Sequence, residues 1–279
     1  MTQTLAPGFD TVQRTALLGV QFRDAGSLQL VSEGLRAEVQ DLLQPRWRRM
    51  LTPNRSGVHV LHTFPGLPAF DGDPLTSPPA GAHHRLEVQD LLGRYLPAVV
   101  DLALPHEGLF GLPGAQVSPA DTAPHVPLYS AATRSVPPPL ACLRAELRHA
   151  AAPGRPVPWA VLELRLAGEL LAQGLADEAG RALLIFPLPR PREAGLRDSP
   201  RTAGHTNGWD VSLSARWSRR RGPAGATGGV PELQTLLAQP AVGLLGQLSP
   251  RLPLAPLRLH AGEPLVAASA GSSFLYIAD

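Results

Sequence analysis

Lysine is absent from the 279-residue chain, in which all 25 basic side chains are arginine. Schiff-base catalysis, a phosphate-binding loop with its lysine, and acyl transfer by a serine–lysine pair all require that amine, so the sequence excludes them. The 23 acidic residues nearly balance the arginines and leave a formal net charge of +2. A charge this small does not indicate a strongly basic surface, and we expect no nucleic-acid partner.

Cysteine occurs only once, as Cys142. An intramolecular disulfide and a thiolate metal cluster are therefore both excluded. Small secreted modules usually carry disulfides, so a single cysteine favours a reducing compartment. Cys142 opens a predicted strand and is best explained as a small buried apolar residue, whereas a thiol nucleophile would need a histidine close in space.

Long apolar segments are missing too. The longest uncharged run, Leu233–Pro250, contains three glutamines and two prolines, and it is too polar to span a bilayer. Residues 1–14 have neither the basic region nor the apolar stretch of a signal peptide. We therefore expect a soluble protein that is made in the cytoplasm and does not insert into a membrane.

Proline and glycine are abundant, with 31 and 27 residues. Together with a hydrophobic content of 44%, this composition favours many short strands separated by turns over long helices. A chain of this length suits two domains of ordinary size. The sequence therefore predicts an all-β protein of two tandem β-sandwich domains.

Three apolar runs in the second half give the clearest strand pattern. They are Trp159–Leu166, Leu170–Leu175 and Ala182–Leu188, with a turn at Gly168 between the first two. The sequence Asp-Glu-Ala-Gly that ends at Gly180 is a hairpin signal, because glycine readily adopts the left-handed conformation. Three consecutive antiparallel strands are predicted here.

The first half contains further strand candidates within about 110 residues, a spacing typical of a sandwich. They are Thr15–Phe22, Leu28–Val31, Leu35–Val39, Val58–Phe64, Arg85–Asp90 and Leu96–Leu104.

A proline-rich segment, Leu112–Pro139, follows and contains seven prolines. Its closing triproline, Pro137–Pro139, is predicted to form an extended polyproline II spacer. We place the domain boundary near residue 127. The N-terminal domain then covers residues 1–127 and ends in the proline-rich linker, and the C-terminal domain covers residues 128–279.

The rest of the second half is predicted to contain more strands and one helix. The helix covers Glu232–Leu245, with Pro231 in the first turn and Pro240 bending or ending it. The strands are Cys142–Arg148, Trp209–Trp217, Leu257–Ala268 and Phe274–Ile277.

Within Cys142–Pro189 the order of features resembles the carboxypeptidase regulatory-like (transthyretin-like) domain. The features are the strand Trp159–Leu166, the turn sequence Gly174–Arg181 and the apolar strand Ala182–Pro187. In that family a G-x-T/A-D-x-x-G-R hairpin precedes a strand that ends near a proline. The resemblance implies a non-catalytic sandwich of the prealbumin-like or immunoglobulin-like type.

A wider layout of segments is similar to accessory proteins encoded with contractile phage-tail-like injection particles. It comprises Ser56–Leu67, a strand–Gly-Arg–strand unit over Leu86–Leu104, the segment Val126–Arg134 and the transthyretin-like hairpin. This resemblance implies an accessory component that is incorporated into such a particle.

Histidines and aspartates of the first half are candidates for a metal site. Two of the histidines share a predicted strand at an odd separation, which points them to opposite faces, and two others are adjacent. A site would need loop residues to bring them together, so we expect no metal and no cofactor. The six side chains are His59, His62, His83, His84, Asp71 and Asp73.

Arginines beside tryptophans are the candidate interaction residues, because both residue types anchor interfaces. Stacking on nucleic-acid bases is the alternative, and the small net charge disfavours it. The residues are Trp217, Arg219, Arg220 and Arg221 in one run, and Trp47, Arg48 and Arg49 in another. In contrast, Glu163, Arg165 and the alternate polar residues of Trp209–Trp217 are expected on outward sandwich faces.

The sequence therefore favours a non-catalytic structural or adaptor protein that docks to protein subunits of a larger assembly. Exposed sheet edges also leave self-association open. Two alternatives remain from other classes: a module that binds a small ligand or carbohydrate in a concave pocket, and a metal-dependent hydrolase that uses the loop histidines and aspartates.

Overall fold

A computed structural model of the chain describes residues 16–67, 82–112, 123–189, 208–219 and 229–278. Asp71, Asp73, Arg220 and Arg221 lie outside these ranges, as does the side chain of His83. Within them the chain is almost entirely β-strand and turn, with one short helix, so the predicted all-β class is confirmed. The further division into two tandem sandwiches stays a prediction.

The described residues before Leu140 form ten short strands, and the remainder form eleven strands and the helix. The first set is β1 (Leu18–Val20), β2 (Phe22–Asp24), β3 (Leu35–Asp41), β4 (Arg48–Met50), β5 (Thr52–Pro53), β6 (His59–Leu61), β7 (Ala82–Asp90), β8 (Ala98–Leu104), β9 (Leu109–Phe110) and β10 (Val126–Leu128). The second set is β11 (Leu140–His149), β12 (Ala152–Pro156), β13 (Val161–Leu166), β14 (Glu169–Leu175), β15 (Arg181–Pro187), β16 (Gly208–Arg216), α1 (Leu233–Leu237), β17 (Ala241–Gln247), β18 (Leu252–Pro253), β19 (Leu257–His260), β20 (Leu265–Ala267) and β21 (Leu275–Ala278).

The first half contains two four-stranded sheets. Their strand orders are β5-β6-β1-β9 and β4-β3-β7-β8, and β10 pairs with β2 beside them. Two stretches of chain pass from one sheet to another, because β1 continues into β2 after Gln21 and β4 into β5 after Leu51. The inward residues of both sheets share one core, which includes Leu18, Val39 and Leu86, and burial of this apolar surface holds the sheets together.

The second half is organised around β11. This strand pairs with β15 and β12 in antiparallel fashion and with β20 and β21 in parallel fashion. The long path of the sheet is β12-β11-β21-β17-β16-β13-β14. A second core includes Leu147, Leu162, Phe186 and Ile277.

Segments of the second half also pack into the first core. Trp159, Val161 and Leu175 belong to it, together with Leu233 and Leu236 of α1. The outer side of β13 and β14 and the apolar side of α1 thus contact the first half. The predicted boundary at residue 127 stays a prediction, but the two halves share buried apolar surface.

The hairpin prediction in the second half is half right. β13 and β14 form the expected antiparallel pair, from Val161 opposite Leu175 to Leu166 opposite Glu169. The strand after the Gly180 turn, β15, instead pairs with β11 along its whole length. Five central residues of β15 are buried, so both of its faces are covered. On the other side of the turn the chain meets β15 through one isolated bridge, between Ala176 and Ala182.

The predicted helix over Glu232–Leu245 is wrong in extent. Helix α1 covers only Leu233–Leu237, and the Glu232 side chain caps it by accepting hydrogen bonds from the N–H groups of Gln234 (2.8 Å) and Thr235 (2.6 Å). Pro240 cannot donate a helical hydrogen bond and disfavours helix at the residue before it. The residues that follow form β17, which pairs with β16 and β21.

Three further predictions, for two strands and for the triproline, also need correction. The predicted strand Thr15–Phe22 is divided between β1 and β2, and Leu28–Val31 contributes only an isolated bridge between Leu30 and Arg23. The triproline is not an extended spacer, because the Leu140 N–H donates to the Pro137 carbonyl at 3.0 Å and closes a turn. This turn leads directly into β11.

Candidate functional site

The candidate metal residues do not converge in the part of the chain that the structure describes. His59 is buried in β6 with its ring edge-on to Phe22, at 4.9 Å between centroids, and His62 is exposed. His84 is buried against the Phe64 ring at 4.8 Å. Within the described ranges no three His, Cys, Asp or Glu side chains are placed to hold a metal ion.

His59 is nevertheless unusual. Neither of its ring nitrogens has a hydrogen-bond partner among the described residues. Burial lowers the pKa of the imidazole, and the Gly57 backbone raises it by a smaller amount. The ring therefore occupies its place in the core in the neutral form.

Cys142 is buried, as predicted, and packs with Leu183 and Ile185. Burial raises the pKa of its thiol, and the nearby Arg144 offsets this in part. A raised pKa keeps the group in the thiol form, which is the less nucleophilic one.

The expectation that Glu163 faces solvent is wrong. Its carboxylate is buried and binds two guanidinium groups, those of Arg165 at 2.9 Å and Arg216. Burial alone would raise the pKa of Glu163, but the hydrogen bond from Arg165 and the charge of Arg216 outweigh it and lower the pKa. Gln173 and the buried Tyr129 extend this network toward the first half.

A second buried network was not anticipated from the sequence. Asp24 accepts hydrogen bonds from the Tyr95 hydroxyl (2.9 Å) and from the N–H groups of Gly26 (2.8 Å) and Ser27 (2.9 Å), and it pairs with Arg134. Burial raises the pKa of Asp24, but the Ser27 N–H and the Arg134 charge together lower it below its usual range. The Asp-Ala-Gly-Ser sequence indicates the turn, but nothing local indicates that Tyr95, 71 residues away, is a partner of Asp24.

The first candidate interaction run does not present its tryptophan. Trp217 is buried, packs in the second core and donates from Nε1 to the Pro158 carbonyl at 3.1 Å. The Nη2 atom of Arg219 lies 2.6 Å from Nε2 of His149, which is itself buried. A docking role for the arginines of this run stays a prediction.

The second run forms a sheet edge. Arg48, Arg49 and Met50 are all exposed and make up β4, the outer strand of the sheet β4-β3-β7-β8. Trp47 is half-buried and packs against the first core, with its ring beside Gly66. Trp47 therefore anchors the antiparallel hairpin of β3 and β4 from the core side, and the two arginines lie at the surface.

The backbone N–H and C=O groups of β4 point alternately toward β3 and away from it. The Asp41 N–H donates to the Trp47 carbonyl (3.1 Å) and the Leu51 N–H donates to the Ala37 carbonyl (2.9 Å). Hydrogen-bonded pairs alternate along an antiparallel ladder, so Arg49 bonds to Val39, whereas the N–H and C=O groups of Arg48 and Met50 point away from β3. Among the described residues no strand pairs with β4 on that outer side.

A polar groove lies beside this edge, on the outer face of the same sheet. Arg48 pairs with Gln40 and so lies on the same face as Glu38. The groove has a volume of about 440 Å³ and is lined by Arg36, Glu38, Arg48, Glu87, Val88, Gln89, Pro97 and Val230.

We call the strand Arg48–Met50 with its outward backbone groups the docking edge.

No family model matches the chain, and no curated protein matches it. Among solved structures, the Bacillus anthracis TIE protein aligns with 10% identity and a TM-score of 0.24, over 94% of this chain and 34% of that one. This chain thus spans about a third of that protein's length, and a similarity this weak carries no argument about fold or function.

No helix in the described residues has the length and apolar character needed to cross a membrane.

Proposed function

We propose that this protein is a docking subunit. It holds another protein when an extended strand of that partner pairs with the docking edge. The observation that carries the proposal is the outward direction of the N–H and C=O groups of Arg48 and Met50 on an exposed outer strand. An extended segment can form main-chain hydrogen bonds with such groups, and neighbouring side chains then supply specificity.

Side chains at the docking edge support the same proposal. Met50 is 57% exposed, and Leu43, in the turn before the strand, is 89% exposed. Arginine and methionine are enriched at protein interfaces relative to the remaining surface. Trp47 holds the hairpin against the core, so a partner would meet a strand that is already ordered.

The sequence resemblance to accessory proteins of contractile phage-tail-like particles suggests the assembly in which docking takes place. This part of the proposal rests on the resemblance alone.

Binding of a small polar ligand in the groove is a second candidate. Its support is the convergence of Arg36, Arg48, Glu38 and Glu87 on one concave surface. A ligand confined to the groove would contact those side chains and leave the outward N–H of Met50 exposed to solvent. Slower hydrogen exchange of the Met50 N–H on binding therefore distinguishes docking by strand addition from binding of a ligand in the groove.

Photo-crosslinking in the producing cells tests the docking proposal. A photoreactive residue replaces Arg49, or the exposed Glu178 of a distant turn as a control. Each is combined with Met50→Pro, which removes an outward N–H without removing a bond to β3, or with Met50→Ala, which keeps that N–H. We expect one discrete product from position 49 that persists with Met50→Ala and disappears with Met50→Pro. A crosslinked product that also forms with Met50→Pro, or equal yields of product from positions 49 and 178, would contradict docking by strand addition.

A further inference from the structure

The docking edge and the turn before it carry a local excess of positive charge. The segment Pro45–Met50 contains Arg46, Arg48 and Arg49 and no acidic residue, and all three arginines are exposed. The whole chain has a net charge of only +2, so this concentration is a property of the edge and not of the surface in general.

The guanidinium groups of the docking edge are not saturated by carboxylates of the described residues. Arg48 Nε donates to the Pro45 carbonyl at 3.1 Å and lies 4.0 Å from Glu38. That carboxylate is closer to Arg36, at 3.3 Å. Arg49 donates to the Arg48 carbonyl at 3.1 Å and forms no ion pair within the described part of the chain. Each guanidinium has five N–H donors, so both can bind further acceptors.

A second copy of the chain fits this edge poorly. In the two-fold antiparallel register that pairs all three residues of β4 with a second copy, Arg48 lies opposite Met50 and Arg49 lies opposite its own copy. Like charges directly opposite across a ladder are destabilising, and basic residues on an edge strand are a known means of preventing self-pairing. The same arginines attract a strand of opposite charge.

We propose that the partner supplies an extended acidic segment with two consecutive carboxylates. This inference rests on the proposed docking function. Arg48 and Arg49 point to opposite faces of the strand, so one carboxylate opposite each of them requires adjacent acidic residues in the partner. Met50 is uncharged, and the carboxylate of its cross-strand neighbour Glu38 pairs with Arg36. No cation therefore faces the partner residue opposite Met50, and this residue is apolar. In the commoner antiparallel direction the partner sequence reads apolar, acidic, acidic.

Short capped peptides titrated into isotope-labelled protein test this inference by amide NMR. The probes share flanking residues and differ only at the centre: Val-Glu-Glu, Val-Gln-Gln or Val-Lys-Lys. We expect the acidic peptide to shift the resonances of residues 47–50 and to slow exchange of the Met50 N–H. The glutamine peptide should bind roughly threefold to tenfold more weakly, the range expected for two exposed ion pairs, and the lysine peptide should bind more weakly still.

Charge-removal variants complete the test. In Arg48→Gln/Arg49→Gln the acidic peptide should bind no better than the glutamine peptide. Arg155→Gln, which removes an exposed arginine in β12, should leave the preference unchanged. Equal binding of the acidic and glutamine peptides, with Met50 protected in both, would overturn the acidic partner and leave the docking edge standing. If the acidic peptide moved no resonance in 47–50, or if none of the peptides bound at millimolar concentration, both proposals would fail.

Discussion

The hydroxyl group of Tyr129 donates a hydrogen bond of 2.6 Å to Oε1 of Gln173. Tyr129 follows β10 in the first half, and Gln173 lies in β14 of the second half, so this bond crosses the contact between them. Gln173 donates onward to Glu163 at 3.4 Å, and Arg216, which binds Glu163, also donates to the Leu237 carbonyl at the end of α1 at 2.8 Å. One buried polar chain therefore links both halves and the helix.

Removing the Tyr129 hydroxyl should destabilise the whole chain. Tyr129→Phe leaves the buried Gln173 carbonyl without its donor, and we expect the free energy of unfolding to fall by about 1–2 kcal/mol. Chemical denaturation measures it. Tyr276→Phe is the matched control, because its hydroxyl has only a 3.4 Å contact with Ser272, and it should change stability by less than about 0.5 kcal/mol. Equal losses in both variants would argue against the polar chain.

Acid should destabilise the protein through His59. Its folded-state pKa is lowered by burial, whereas its unfolded pKa is near 6.5, so the unfolded chain binds the extra proton first. The contribution of the neutral His59 to the free energy of unfolding is therefore fully present above pH 6.5 and declines as the pH falls toward the lowered pKa. His59→Leu should flatten this decline, and the exposed His62→Leu should not. Denaturation curves over this pH range measure both; the same slope in all three proteins would be inconsistent with a neutral buried His59.

Gly26 should not tolerate a side chain. A Cβ at this position would lie 2.1 Å from the Ile185 carbonyl oxygen of β15, which is backbone and cannot rotate away. We expect Gly26→Ala to cost about 1–3 kcal/mol of stability, as overpacking does, in thermal unfolding. Gly154→Ala, where nothing lies within 4 Å, is the control and should be nearly neutral. A stable Gly26→Ala protein would show that this turn does not pack on β15.

The first 127 residues should not fold alone. Their core includes Trp159, Val161 and Leu175 together with Leu233 and Leu236 of α1, all of which a fragment of residues 1–127 lacks. We expect that fragment to show no cooperative unfolding transition, whereas the full chain unfolds in one. A well-dispersed NMR spectrum from the fragment would instead support the independent N-terminal domain that the sequence predicts.

Alternation and turn residues were enough to locate much of the fold. The polar–apolar pattern places β3, β7 and β16, and Gly180 takes the expected left-handed conformation at φ 81°. Such patterns report which residues share a face, but not what covers that face. The alternation therefore predicts a solvent-facing Glu163, although its face packs against the first half, which is distant in sequence.

Strand partners and edges could not be obtained from local signals. The partner of β15 is β11, whose pairing depends on sheet order rather than on the turn between β14 and β15. Likewise, the Trp-Arg-Arg run identified Trp47, Arg48 and Arg49 as unusual but did not indicate a strand. Only the register with β3 shows that the N–H groups of Arg48 and Met50 point outward.

The most direct test of the docking edge is amide hydrogen exchange, residue by residue, in the dilute protein and after its partner binds. In the dilute protein the Arg49 N–H should exchange slowly, because it pairs with Val39, whereas those of Arg48 and Met50 should exchange rapidly and become protected only in the complex. Slow exchange of Arg48 and Met50 in the dilute protein would mean that the edge is already paired, and the docking proposal would then be wrong.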